Sequence, residues 1–281
     1  MLKRQLGELD MMSQNHMGPL AKDFMGRGVI TVYQESKVGK AVRAMDEHDI
    51  GSVVVLDNLG PCGVFTERDL LSRVLARGKD PEDTVVSEVA SPRFPSIEST
   101  KTLEEAAGAM ISKKSRLMVF EGAGLVGIIT PTDLVRAIKD ADKDFSILKV
   151  MSTEVVTAMP ETPIDVVVRV MDEKKVGSVL LSEDGRWTGI FTERDLVRRI
   201  VARRERLDTP VAAAATKPLV MAEPSILGRE AARVMAAHKF KRLPLSLDGE
   251  GVGVVTARDI VEAFANADRP RAPRVDWVQW N

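Results

Sequence analysis

The sequence predicts an α/β protein assembled from four small β-α-β-β-α units. Two observations carry this prediction: a repeat nested at two lengths, and, within each repeat, one fixed order of β-prone apolar runs and amphipathic helical segments. GVFTERDL at residues 63–70 returns as GIFTERDL at 189–196, an offset of 126 residues. GIITPTDL at 127–134 returns as GVVTARDI at 253–260, again at 126. Within each half, Thr66 and Thr130, and Thr192 and Thr256, stand 64 residues apart. Such a unit is too long for the usual helical solenoid repeat and too short for an independent domain, so pairing is the natural way to bury its apolar faces.

Each unit opens on a short β-prone run, at residues 29–32 in the first and 155–157 in the third. A helix follows. In TLEEAAGAMISKK the spacing of Leu103, Ala106, Ala107, Met110 and Ile111 makes one apolar face. PIDVVVRVMDEKK reads likewise, with Pro163 near the first turn. Nearly continuous apolar runs then predict buried strands at residues 52–56, 117–120, 178–181 and 243–247. Turns containing Gly60 and Gly185 lead to a second apolar run that ends on a threonine, and a charged amphipathic helix such as ERDLLSRVLARG closes the unit.

This order, the Val150-Met151-Ser152 entry, and the closing pattern of two apolar residues followed by Thr-x-x-Asp resemble the cystathionine-β-synthase (CBS) domain family. The resemblance covers roughly residues 20–266, and four matching units in one chain make it specific. It implies two modules of paired repeats (Bateman modules), at residues 20–142 and 147–266, between an N-terminal extension at 1–19 and a tail at 267–281.

The four pairs Thr66/Asp69, Thr130/Asp133, Thr192/Asp195 and Thr256/Asp259 admit two readings. The first is a helix cap, in which the threonine accepts from the first-turn amides and the acid reaches back. The second is a ligand site: a carboxylate at a helix N-terminus beside strand ends can accept hydrogen bonds from the two ribose hydroxyls of a nucleotide. The family resemblance favours the second and implies clefts assembled crosswise. Asp69 would face Phe94 (with Arg93) and Arg116; Asp133 would face Ile30, Gly51 and Ser52. Asp195 would face Val220, Lys241 and Arg242; Asp259 would face Val156, Gly177 and Ser178. Residues 30, 94, 156 and 220 would flank an adenine. The clefts of Asp69 and Asp195 would carry a phosphate-binding cation, and those of Asp133 and Asp259, with Gly-Ser at that position, would not. Arg68, Arg194 and Arg258 are either further phosphate contacts or solvated helix positions.

The resemblance therefore implies a non-catalytic sensor of AMP, ADP or ATP that self-associates, as a homodimer or as a disc closed within the chain, and signals to a regulated protein. The alternatives are a ligand-free scaffold and a sensor of another adenosyl compound such as S-adenosylmethionine. Forty basic residues against 41 acidic ones give no electrostatic reason to expect nucleic acid or an anionic membrane. No run of about 18 apolar residues is present to span a bilayer. The single Cys62 cannot form an intrachain disulfide, which together with an N-terminus lacking a signal-type apolar core gives the expectation of a cytoplasmic protein. His16, His48 and His238 have no metal-ligand spacing, no catalytic constellation stands out, and no cofactor is expected. Trp277 and Trp280 give the tail a docking role on its own chain or a partner.

Overall fold

The computed structural model describes residues 18–92, 94–113 and 115–267. His16, Arg93 and the tryptophan-bearing tail lie outside them.

Each of the first three repeats builds one three-stranded sheet in which the second strand is central. In repeat one, β1 (Thr31–Tyr33) pairs parallel with β2 (Ser52–Asp57), which pairs antiparallel with β3 (Gly60–Thr66). A parallel pair needs a crossover, and the helix α1 (Val38–Glu47) supplies it. Its buried residues Val38, Ala41, Val42 and Met45 lie at helical spacing on the side facing the core. The β2–β3 turn is sharp, with Gly60 at φ 128°, a conformation closed to side-chain-bearing residues.

Repeat two repeats the design with β4 (Ser96–Glu98), β5 (Leu117–Glu121) and β6 (Gly124–Ile129). Its crossover helix Leu103–Lys113 buries Leu103, Ala106, Ala107 and Met110, and Thr102 and Glu105 cap each other at its start. Repeat three has β7 (Thr157–Ala158), β8 (Ser178–Glu183) and β9 (Arg186–Thr192). Here Pro163 is the residue immediately before the helix Ile164–Glu173. In repeat four, β10 (Arg242–Leu247) and β11 (Glu250–Thr256) form a hairpin, and the first strand shrinks to a single parallel bridge between Ala222 and Leu245. Pairing also starts later than the apolar runs suggest. Residues 29–30 and 155–156 precede β1 and β7, where bonds from Val54 N–H to Ile30 O (3.0 Å) and from Leu180 N–H to Val156 O (3.0 Å) extend the pairing.

The repeats meet through two kinds of surface. Helices of repeats one and three share a core that includes Val42, Met45, Leu71, Val168, Met171 and Ile200. Helices of repeats two and four share another, with Met110, Leu134, Met235, Ile260 and Phe264. Sheets join repeats one and two through Val54, Val64 and Met118, and through bridges such as Gly26 to Ile128. Bridges from Ser152 to Val254 and from Ile190 to Thr216 join segments of repeats three and four in the same way. The contacts run one to two, two to four, four to three and three to one, so the ring closes within one chain around a central cavity.

The closing helices differ by repeat. In repeats one and three the helix opens at Glu67–Asp69 or Glu193–Asp195 and widens at once into π-helical turns, Leu70–Val74 and Leu196–Val201. Pro131–Ile138 and Ala257–Ala265 in repeats two and four are ordinary α-helices. No helix among the described residues is long and apolar enough to cross a membrane.

Candidate functional site

Thr66, Thr192 and Thr256 end the last strand of their unit and Thr130 follows it directly; all four are in extended conformation, and all four capping boxes are formed. In each, the threonine N–H donates to Oδ2 of the aspartate, at 3.0, 2.8, 2.8 and 2.7 Å in chain order. The hydroxyls of Thr66, Thr130 and Thr192 donate to the same oxygen. The cap thus consumes Oδ2. The Oδ1 atoms of three of these acids face arginines of their own helices: Arg73 at 3.2 Å from Asp69, Arg199 at 3.5 Å from Asp195, and Arg136 against Asp133. The cap reading and the ligand reading therefore use different oxygens, and the first does not exclude the second.

Asp69, Asp133 and Asp195 are buried. Burial pushes the carboxyls of Asp195 and Asp259 above the usual range, against the opposing pull of their threonine hydrogen bonds and nearby arginines. Such carboxylates are poorly solvated and gain from additional donors.

A cavity of about 980 Å³ lies at the centre, lined by residues of all four repeats. The structure brings to it Ile30, Gly51, Ser52, Thr66, Asp69, Arg116, Thr130 and Asp133 from the first half. From the second come Val156, Gly177, Ser178, Lys241, Arg242, Thr256 and Asp259. Thr192, Asp195, Phe94 and Val220 are not among its lining residues. At the Asp69 cleft the small Ser91 pairs with Val64, and its hydroxyl donates to Asp69 at 3.3 Å. At the Asp195 cleft the corresponding residue is Thr216, which pairs with Ile190, and the side chain of the next residue, Lys217, lies over Gly189; a Cβ there would be 3.0 Å from Lys217 Cγ.

The cations depart from the expected assignment. Lys241 does not face Asp195: its ammonium donates to Glu67 Oε2 in repeat one at 2.5 Å. Arg242 lies 3.3 Å from Glu193 Oε2, and Arg68 Nε lies 2.6 Å from the other oxygen of that carboxylate. Arg116 donates to the backbone oxygen of Gly51 at 3.1 Å, which carries it to the cleft expected to be uncharged. Arg194 is tied to Asp49 at 2.9 Å. The physical reason is the pair of buried glutamates. A buried carboxylate needs a cation, and Glu67 and Glu193 draw in the ones at hand. Gly51 and Gly177 make room: a Cβ on Gly51 would be 2.9 Å from Lys241 Nζ, and one on Gly177 would overlap the Arg242 guanidinium. The cations are shared at the centre instead of belonging to two clefts.

Burial acts to raise the Glu67 carboxyl, but Lys241, Arg194 and Arg116 outweigh it and hold the group below the usual glutamate range. Burial pushes Arg116 and Lys241 below their ordinary values, with nearby acids pulling the other way.

A family model for the CBS domain matches the chain four times, at residues 21–76, 86–140, 146–202 and 211–266. The chain belongs to the CBS domain family. MJ1404, an uncharacterized protein of Methanocaldococcus jannaschii, is 25% identical over 265 residues, covering 87% of this chain and 62% of that relative. The uncharacterized MK0525 of Methanopyrus kandleri is 32% identical over 113 residues, covering 39% of this chain and 58% of its own. The chain thus spans about three fifths of the length of each relative. The crystal structure of MJ1225 from M. jannaschii, described as a proposed archaeal homologue of γ-AMPK, superposes with a TM-score of 0.74 at 18% identity. That match covers 88% of this chain and all of the other, and it shows the shared fold.

Within this CBS array the sequence reading missed Glu67 and Glu193. A signal was present. Repeats one and three carry Glu after the motif threonine and Gly-Ser at residues 51–52 and 177–178; repeats two and four carry Pro131 or Ala257 there and Ser115-Arg116 or Lys241-Arg242. Acids and glycines stand in one pair of repeats and cations in the other, the pattern of complementary partners. Among the described residues no cluster of His, Cys, Asp or Glu is placed to hold a metal ion.

Proposed function

We propose that this CBS protein is a non-catalytic sensor that binds adenine nucleotides in the clefts between paired repeats. The observation that carries the proposal is the convergence of Asp69, Asp133 and Asp259 with Arg116, Lys241 and Arg242 on one central cavity. Carboxylates at cleft edges suit ribose hydroxyls, and cations further in suit phosphates. Ile30 and Val156 also line the cavity, beside these acids, where an adenine would find apolar cover and backbone groups. Because all four repeats line one space, a ligand there alters how the two halves pack, which a regulated partner reads as a population shift.

Equilibrium dialysis of the full chain with labelled AMP, ADP and ATP tests this, with S-adenosylmethionine as a parallel arm. Saturable nucleotide binding that falls in Asp133→Ala and Asp259→Ala supports the reading. Binding of S-adenosylmethionine alone moves the assignment to an adenosyl compound without phosphates. Retention of no ligand leaves the four motifs as helix caps and the chain as a scaffold.

A further inference from the structure

We propose that Glu67 and Glu193 act as tethered counter-anions: they occupy the phosphate-binding cations of the central cavity, and a ligand with adjacent phosphate groups binds by displacing them. The proposal deepens the nucleotide reading, since it concerns how the same cavity admits its ligand, but it is tested with an anion that contains no nucleoside.

Several features of the centre support it. Glu67 is 5% exposed and Glu193 8%, so neither is a solvated surface acid. Each projects from the first helical turn after its motif threonine toward cations of other repeats: Glu67 to Lys241 at 2.5 Å, and Glu193 to Arg68 at 2.6 Å and Arg242 at 3.3 Å. The network is under-satisfied. Glu67 Oε1 and Arg68 Nη1 are buried without a hydrogen-bond partner, a costly arrangement for an ionic cluster. Arg116 makes its hydrogen bond to a backbone carbonyl, that of Gly51. Such a centre gives its cations single carboxylates where they have room for more acceptor oxygens. Two linked phosphates bring several anionic oxygens into the reach of Arg116, Lys241 and Arg242, which single carboxylates do not match.

The displacement has a structural consequence. The Lys241–Glu67 and Arg68–Glu193 pairs each join the first half of the chain to the second. A phosphate that takes Lys241 from Glu67 breaks a tie between the halves at the moment of binding. The glutamates therefore set both the affinity for the anion and the coupling of binding to packing.

Calorimetric titration of inorganic pyrophosphate into the full chain tests the proposal, comparing wild type with Glu67→Gln, Glu193→Gln and Lys241→Gln. Both glutamate variants should bind pyrophosphate more tightly, by roughly tenfold or more, the factor corresponding to one charge-assisted hydrogen bond no longer competed for. Lys241→Gln should bind it more weakly. If Glu67→Gln does not fold, Glu67→Asp keeps the charge but draws the carboxylate back by one methylene, and should show the same gain in smaller measure. Unchanged or weaker pyrophosphate binding in a folded glutamate variant, or no binding by any form, overturns the proposal. Adenosine separates this outcome from the nucleotide reading: having no phosphate, it should bind wild type and the glutamate variants alike. A pyrophosphate gain with no adenosine or AMP binding would sink the nucleotide reading and leave the counter-anion role standing.

Discussion

Thr192 and Asp195 are bound to each other twice through one oxygen: the backbone N–H of Thr192 donates to Asp195 Oδ2 at 2.8 Å and its hydroxyl donates to the same atom at 2.7 Å. Oδ1 faces Arg199 at 3.5 Å. The geometry separates what the pair does for the helix from what the acid can do for a ligand, and the separation is testable. An asparagine at this position presents the same kind of oxygen to Thr192 without the charge. Burial pushes the Asp195 carboxyl above its ordinary range. The folded state then holds a proton where the unfolded chain has lost it, so stability from this group falls as pH rises through the raised folded value. At neutral pH the charged form is a net cost. Asp195→Asn should therefore melt higher than wild type at neutral pH, with the difference shrinking as pH falls toward the ordinary aspartate range near about 3.9. Thr192→Val, which removes the cap hydroxyl, should lose about 1 kcal/mol at neutral pH. Melting curves of the ligand-free proteins decide it; a lower Tm for Asp195→Asn at neutral pH would show that the charge itself is needed for the fold.

Arg242 separates phosphate recognition from nucleoside recognition. It lies against Gly177 and Glu193 and influences Asp259, so it stands in the cleft that the sequence suggested was uncharged. Arg242→Ala should weaken AMP binding by at least about tenfold, the worth of one charge-assisted hydrogen bond, and leave adenosine nearly unchanged. Calorimetry with the two ligands reads the difference. Equal losses for both would make Arg242 a structural residue.

The two halves of this picture were not equally legible in the sequence. The fold was, because strand and helix periodicities are local and the 126-residue and 64-residue offsets repeat them. The motif threonines and aspartates were legible for the same reason, since a cap lies within four consecutive residues. The pairing of Lys241 with Glu67 was not: 174 residues separate them, and their meeting depends on how the ring of repeats closes. The π-helical turns at Leu70–Val74 and Leu196–Val201 were equally hidden, because their residues have the spacing of an ordinary amphipathic helix. The shrinkage of the fourth unit's first strand to one bridge at Ala222 is a matter of backbone register that no side-chain pattern announces.

Gly177 and Gly185 are glycines for different reasons, and substitution should tell them apart. Gly185 has φ 79°, so alanine there strains the backbone whatever the space around it. Gly177 has no such backbone demand, but a Cβ there would overlap the Arg242 guanidinium and come within 2.8 Å of Glu193 Oε2. The arginine is flexible and can yield. Gly177→Ala should thus keep its Tm close to wild type while losing AMP affinity in the manner of Arg242→Ala. Gly185→Ala should cost stability, on the order of 1 kcal/mol or more, and spare the ligand. Melting and calorimetry on the two variants give the four values required. A Gly177→Ala protein that binds AMP like wild type would mean that the seat of Arg242 on the glycine is irrelevant to the anion.

The repeat symmetry makes a final prediction about the second half of the chain alone. Helix Ile164–Glu173 and the π-helical turn after Asp195 bury Ile164, Val167, Val168, Met171, Leu196 and Ile200 against repeat one. Each has a counterpart 126 residues earlier on the opposing face: Val38, Ala41, Val42, Met45, Leu70 and Val74. The face that repeat three presents is therefore close in shape to the face it receives, and a second copy of repeat three can take the place of repeat one. Charge favours the exchange. In the chain, Asp46 of repeat one meets Arg198 of repeat three at 3.3 Å, whereas Asp172, at the position equivalent to Asp46, meets Ser72 and Arg77. Between two copies of repeat three, Asp172 faces a second copy's Arg198 on both sides of the interface. With roughly 1.5–3 kcal/mol for each large apolar side chain withdrawn from water, residues 147–266 should form a stable dimer in solution. Met171→Glu should convert it to a monomer, since a buried unpaired carboxylate at the centre of the face costs several kcal/mol. Sedimentation velocity of the two proteins settles the matter: a folded, monomeric wild-type fragment would show that the intact chain's first repeat supplies something its third cannot.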